Sequence, residues 1–232
     1  MPRSPTASQL RRGSGDPPGS GDPPGSGRLS GSGSGWPGPA GPGGRWLGPG
    51  ALLVPVKAFS DAKLRLAGAL SPARRADLAR TLATRVVGAA GDLAVAVVCD
   101  DREVASWARE LGALVIWEPG RGLNGAVQEG VARLAGAGAE QVAVAHADLP
   151  LATDLAWLAR FPGVTLVPDR RHDGTNVVGI PARCGFTFSY GPGSFARHVT
   201  EAHRLGLPVR TVHGSPLAWD VDVPADLVPV IG

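Results

Sequence analysis

Two lysines, Lys57 and Lys63, stand against 21 arginines in this chain, and both fall in one short stretch. It reads Leu52-Leu53-Val54-Pro55-Val56-Lys57, then Lys63-Leu64-Arg65-Leu66. Where other cation positions have drifted to Arg, a position that stays Lys points to a need for a compact ammonium. That group is a small, strongly hydrated point charge on a flexible stem, whereas guanidinium is a flat fork. A point charge suits a polyphosphate oxygen. Chance placement of two solvated side chains is the competing account. The position favours a ligand, because the pair follows a predicted first strand, and open α/β sheets bind ligands beyond the carboxyl ends of their strands.

Acids occupy comparable positions. In Val142-Ala143-Val144-Ala145-His146-Ala147-Asp148-Leu149-Pro150 an aspartate follows an apolar strand and precedes a proline turn. A carboxylate there suits a hard cation such as Mg²⁺, which prefers oxygen and bridges one or two Asp to substrate phosphates. A helix cap is the alternative for Asp148. Further on, Trp219-Asp220-Val221-Asp222-Val223-Pro224 sets two acids on one face of an extended segment. Asp222 precedes a helix-start pattern, so capping competes with metal binding there; Asp220 has no such local employment.

Three loops complete the set. Gly120-Arg121-Gly122-Leu123-Asn124 enters a helix, where backbone amides or the Asn124 side chain could meet a base or phosphate; a plain turn is the alternative. Asp173-Gly174-Thr175-Asn176 and Tyr190-Gly191-Pro192-Gly193-Ser194-Phe195 read as a paired anion site. There Ser194 lies at a positive helix end, Gly191 leaves room, and Thr175 adds a hydroxyl. His198 lines the same pocket or lies on the helix surface, and the surface is favoured. The other histidines show no ligand spacing, and no Walker A, G-x-S-x-G or G-x-G-x-x-G pattern occurs.

The elements that must hold these groups alternate strand and helix. Strands are expected over 51–56, 93–99, 113–117, 141–145, 164–167, 176–180 and 209–212. Helices are expected from Ser71-Pro72, over 102–111, 123–137, 153–161, 194–206 and 224–230. In the first helix Leu78, Leu82 and Val86 recur every fourth residue and define an apolar face. Apolar strands between amphipathic helices predict an α/β fold, a mainly parallel sheet covered on both faces. The looser region 168–193 predicts a mixed sheet with at least one antiparallel strand.

Residues 1–45 stand apart. They hold 13 Gly and 9 Pro, with Gly-Ser-Gly-Asp-Pro-Pro at 13 and again at 19, and are expected to be a disordered tail. No apolar stretch resembling a signal peptide follows the early arginines. Five Arg against two Asp give this tail the whole net charge of +3, so residues 46–232 are neutral. The basic balance therefore argues nothing about nucleic acid. The remainder suffices for one domain with a sizeable core. Cys99 and Cys184 lack metal-ligand spacing and are expected to be reduced in a cytoplasmic protein, with no membrane partner.

Taken together and in order, Val54-Pro55-Val56-Lys57…Lys63-Leu64-Arg65-Leu66, Gly122-Leu123-Asn124, Ala147-Asp148-Leu149-Pro150, Asp173-Gly174-Thr175-Asn176, Tyr190-Gly191-Pro192-Gly193-Ser194-Phe195…His198 and Asp220-Val221-Asp222 resemble the guanylyltransferases of the CofC type. Those enzymes act in the biosynthesis of the deazaflavin coenzyme F420. The resemblance spans essentially all of 50–230. It implies a glycosyltransferase-A-like nucleotidyltransferase fold. It also implies transfer of GMP from GTP to phosphoenolpyruvate or 2-phospho-L-lactate with release of pyrophosphate. By the same resemblance, Asp148 and Asp220, with Asp222 beside them, would hold Mg²⁺. Thr175, Gly191 and Ser194 would hold the three-carbon acid, and Lys57, Lys63, Arg65, Gly122 and Asn124 the nucleotide. Lys63, Asp148 and Asp220 become the expected catalytic residues. A homodimer, and hand-over to the next enzyme of the pathway, are open expectations. Two other readings compete: a nucleotidyltransferase for a sugar phosphate or molybdopterin-like cofactor, and a non-catalytic nucleotide-binding protein. The small Thr175–Ser194 loop pair argues against a bulky acceptor, and the retained acids argue against a binder.

Overall fold

The computed structural model describes residues 50–227. Seven strands form one sheet: β1 (Gly50–Pro55), β2 (Ala94–Cys99), β3 (Leu114–Trp117), β4 (Gln141–Ala145), β5 (Val164–Pro168), β6 (Thr175–Pro181) and β7 (Val209–Thr211). Their order is β3-β2-β1-β4-β6-β5-β7. Every pairing is parallel except the two made by β6. Four helices cover the faces: α1 (Pro72–Gly88), α2 (Arg102–Glu110), α3 (Gly122–Gly136) and α4 (Ser194–Arg204). The expected mixed α/β sheet is therefore present, with β6 as its antiparallel strand.

Strand β1 shows why both faces must be covered. Leu52 and Val54 point into one apolar cluster, shared with α1 and α2, while Ala51 and Leu53 point into another, shared with α3. All four are fully buried, so the period-two alternation separates two cores rather than core from solvent. Helix α3 lies so close over β1 that a Cβ at Gly130 would stand 2.7 Å from Leu53 Cδ2. Helix α1 begins as expected: the Ser71 side chain accepts the Arg74 N–H and Pro72 takes the first turn.

The antiparallel strand has a local cause and a consequence for the site. After β5, the Asp169 carboxylate accepts the N–H groups of Arg171, Asp173 and Gly174, each at 3.0 Å, and so closes a compact turn. The chain reverses, and the start of β6 arrives at the edge where the parallel strands end. Ala145 at the tip of β4 pairs with Val177, which brings Thr175 beside the segment that carries Asp148.

Two expectations change in detail. The helix expected over 153–161 is a short 3-10 segment, Ala156–Arg160: the Asp154 side chain accepts the Ala156 N–H at its start, and the chain is already extended at Phe161, before Pro162. The helix expected over 224–230 is a 3-10 turn, Pro224–Leu227, and 228–230 lies outside the described residues. Asp222 does not cap that turn. Asp226 does, accepting the N–H groups of Asp222 and Val223 at 2.8 Å each through one carboxylate oxygen. Its other oxygen accepts from Arg170. Arg170 lies 4.2 Å above the Trp219 ring, and Trp219 donates to the Asp226 carbonyl.

This lock fixes the acidic segment 220–222 from behind. A small apolar cluster of Leu66, Leu82, Val221 and Leu227 fastens it to α1 and to the loop carrying Lys63. Asp226→Ala would leave the Arg170 guanidinium and two amides without their acceptor. We expect a loss of about 2–4 kcal/mol in folding stability, read from the urea midpoint. An unchanged midpoint would show that the lock carries no weight.

Candidate active site

The loop after β1 makes two tight 3-10 turns, Phe59–Asp61 and Leu64–Leu66. Between them Lys63 adopts the left-handed conformation, φ 56° and ψ 37°, which costs a non-glycine residue strain. The conformation directs its ammonium inward, where Nζ lies 2.5 Å from Asp148 Oδ2 and 3.7 Å from Asp222 Oδ1. The Lys63 side chain is 9% exposed. Arg65, on the outer side of the same loop, meets the other oxygen of Asp222 at 3.2 Å and is 73% exposed. One backbone bond joins the two acidic segments, from the Val221 N–H to the Asp148 carbonyl at 3.2 Å.

Three carboxylates and two cations thus share one end of a cavity of about 680 Å³. Burial works to raise the Asp148 carboxyl, but the Lys63 ammonium, by its charge and its hydrogen bond, outweighs it and holds the group below the usual carboxylate range. Asp220 has no such partner. Burial first, then the charges of Asp148 and Asp222, push its carboxyl up to about 6. Asp148 Oδ1 is buried and has no hydrogen-bond partner among the described residues. An unpartnered carboxylate oxygen beside a crowded second acid is a donor set that fits a hard cation. Among the described residues no three His, Cys, Asp or Glu side chains form a metal cage. Such a cation would complete its shell from water and substrate oxygens, which is how Mg²⁺ is commonly held.

The opposite wall is built by β6 and the entry to α4. Gly191, at φ 118°, and Gly193, at φ 70°, turn the chain into the helix. The Gly193 N–H donates to Asp173, and the Phe195 N–H to the Asp173 carbonyl, so the two loops are one unit. Thr175 and Ser194 are buried at its floor with their hydroxyl oxygens 3.4 Å apart.

Nine of the expected residues line this cavity: Lys57, Lys63, Arg65, Asp148, Thr175, Gly191, Ser194, Asp220 and Asp222. Gly122 and Asn124 do not; Leu123 between them does. The Asn124 amide is spent on the backbone of Tyr190, accepting its N–H at 2.6 Å and donating to its carbonyl at 3.4 Å. It shapes the wall by holding the Tyr190 backbone. Lys57 is exposed and forms no ion pair among the described residues.

His198 requires a correction. It lies on the buried face of α4, completely enclosed, not on the helix surface. Ser194, His198 and Ala202 are the buried residues of that helix, four apart, a spacing already visible in the sequence. His146 and Arg171, which no sequence motif assigns a role, also line the cavity, as does Tyr190 at the head of its motif. His146 is kept neutral chiefly by burial and stands 4.9 Å from the Tyr190 ring. Its position two residues before Asp148 was the available signal.

The family described as "Guanylyl transferase CofC like" matches this chain over residues 51–231. The chain belongs to that family. A phosphoenolpyruvate guanylyltransferase of Sphaerobacter thermophilus is 37% identical over 189 residues, covering 78% of this chain and 91% of the relative. One from Rubrobacter xylanophilus is 39% identical over 184 residues, 75% of this chain and 90% of the relative. Among solved structures, a Desulfovibrio desulfuricans protein assigned to the nucleotide-diphospho-sugar transferases superposes with a TM-score of 0.62 at 14% identity, over 78% of this chain and 85% of the other. A 4-diphosphocytidyl-2C-methyl-D-erythritol synthase superposes with a TM-score of 0.52 at 13% identity, over 78% and 95%. These two likenesses establish the nucleotidyltransferase fold. Among the described residues no helix is long and apolar enough to cross a membrane.

The raised Asp220 carboxyl has a signed consequence. Its folded pKa lies above the unfolded value, so the fold favours the protonated form, and that contribution fades as pH rises from about 4 through about 6. Above that range ionised Asp220 is a burden on the fold. In metal-free buffer at pH 7.5, Asp220→Asn should therefore be more stable than the parent by about 1–2 kcal/mol. At pH 4 the difference should vanish. A variant less stable than the parent at pH 7.5 would contradict this electrostatic reading.

Proposed function

We propose that the protein transfers GMP from GTP to phosphoenolpyruvate. The acceptor's phosphate oxygen attacks the α-phosphorus, the bond from the α-phosphorus to the bridging oxygen breaks, and pyrophosphate leaves. The product is enolpyruvoyl-2-diphospho-5'-guanosine, a precursor for coenzyme F420 biosynthesis. The observation that carries the reading is the meeting of two unlike half-sites in one cavity: the Lys63–Asp148–Asp222 centre, and the small hydroxyl-lined floor of Thr175 and Ser194. Phosphoenolpyruvate is preferred over 2-phospho-L-lactate as acceptor because the Sphaerobacter and Rubrobacter relatives are named for it.

The acceptor phosphate is ionised at neutral pH, so no general base is required. The difficulty is electrostatic, an anion approaching a polyanion. Asp148 and Asp220, with Asp222 beside them, would hold Mg²⁺, which would supply Lewis acidity against the phosphate charge. Lys63 is preset beside these acids by its strained backbone and offers its ammonium to the departing pyrophosphate, with Arg65 and Lys57 farther out along the same loop. Thr175, the Gly191 loop and Ser194 orient the three-carbon acid from the opposite wall. Leu123 contributes apolar surface on the nucleotide side, and Asn124 acts through the Tyr190 backbone.

Release of pyrophosphate from each nucleoside triphosphate in turn, with Mg²⁺ and phosphoenolpyruvate, tests the reaction. We expect GTP to support it. Asp148→Asn should reduce turnover by at least about a hundredfold with the fold intact. Ser194→Ala should raise the KM for phosphoenolpyruvate about tenfold and leave the KM for GTP unchanged. Loss of GTP affinity with acceptor affinity kept in Ser194→Ala would exchange the two half-sites.

A further inference from the structure

His198 belongs to a buried polar chain that none of the assignments above uses. Its ring is fully enclosed and meets the Tyr190 ring edge-on, centroids 5.0 Å apart, with Phe186 on another side at 5.6 Å. Its two nitrogens face different partners. The Ser189 N–H donates to Nε2 at 3.0 Å, so Nε2 carries a lone pair and no proton. In a neutral imidazole the proton then resides on Nδ1, which stands 3.0 Å from Thr175 Oγ1. Burial, reinforced by Arg197, pushes the pKa of this ring down to about 4, so the neutral form is the one present near pH 7. A second proton would point at the Ser189 N–H.

The tautomer decides what Thr175 can do. A hydroxyl has one proton to give and two lone pairs to receive with. Accepting from Nδ1–H and from the Ser194 hydroxyl 3.4 Å away, Thr175 keeps its own proton for the cavity. With the other tautomer, Thr175 would give its proton to Nδ1 and turn lone pairs toward an incoming anion.

We propose that His198 is a positioning residue: held as the Nδ1–H tautomer by the Ser189 amide, it donates to Thr175 and so presents the Thr175 hydroxyl as a hydrogen-bond donor to the phosphorylated carboxylic acid. The proposal rests on assigning Thr175 to the acceptor. His198 itself touches no substrate. Its effect falls on acceptor affinity and leaves the nucleotide half-site, which is lined by other segments, unaltered.

The experiment has two arms. In the full chain labelled with ¹⁵N-histidine, a long-range proton–nitrogen correlation should show one ring, absent from His198→Gln, with Nδ1 protonated and Nε2 bare. In steady-state kinetics, His198→Gln can still accept the Ser189 N–H but has no donor for Thr175. It should raise the acceptor KM about tenfold with the GTP KM unchanged. His198→Asn places an amide nitrogen where Nδ1 sits and should recover most of that loss. In a Thr175→Val background, His198→Gln should add nothing further.

An Nε2-protonated ring overturns the proposal. So does a full, additive loss from His198→Gln in the Thr175→Val background, which would mark a packing role only. If Thr175→Val alone leaves the acceptor KM unmoved, the acceptor assignment fails and the proposal falls with it. If His198→Gln does not fold, His198→Asn identifies the resonance, and agreement of its acceptor KM with the parent supports the proposal while a shift as large as that of Thr175→Val overturns it.

Discussion

The Val221 N–H bond to the Asp148 carbonyl is the contact on which the rest of the site depends. It joins the end of β4 to a segment more than seventy residues later, and three carboxylates meet as a result. Burying them beside one another is unfavourable to the fold: burial first, then the charges of Asp148 and Asp222, raise the Asp220 carboxyl. The chain offsets it on three sides. Lys63 enters from within, Arg65 from outside, and Asp226 with Arg170 and Trp219 grips the segment from behind. A site built for structural economy would have used fewer acids. Acidic excess held rigidly beside one lysine is the arrangement expected of a centre that neutralises phosphate through a cation.

Topology supplies the second half. Had β6 run parallel to its neighbours, Thr175 would lie at the far edge of the sheet, away from Asp148. The Asp169 turn reverses the chain, and the start of an antiparallel strand lands among the ends of the parallel ones. The two proposed half-sites therefore come from opposite ends of the strands but open into one cavity. The Asp173 contacts to Gly193 and Phe195 couple that turn to the entry of α4, so this wall of the cavity is one connected unit.

Much of this was legible in the residues. Continuous apolar runs located the strands, and Ser71-Pro72 located the start of α1, because these signals are local. The retained lysines and the Asp148 and Asp220 positions led to the cavity because loops at strand ends are where α/β sheets place ligands. The rest depended on long-range pairing. Asp222 resembled a cap in sequence, but the capping carboxylate is Asp226, a residue whose role requires Arg170 from another loop. Asn124 resembled a ligand group, but its amide is consumed by Tyr190. His198 was underrated, although its spacing from Ser194 and Ala202 already described a buried helix face.

The central claim is that Asp148 and Asp220 form a cation site at the heart of the cavity. Binding of Mn²⁺ in place of Mg²⁺, followed by electron paramagnetic resonance in the presence of GTP, tests it most directly. The account predicts that the parent protein and Ser194→Ala bind the ion alike, and that Asp148→Ala and Asp220→Ala each weaken binding by at least about tenfold. Binding by Asp148→Ala as tight as that of the parent would contradict it.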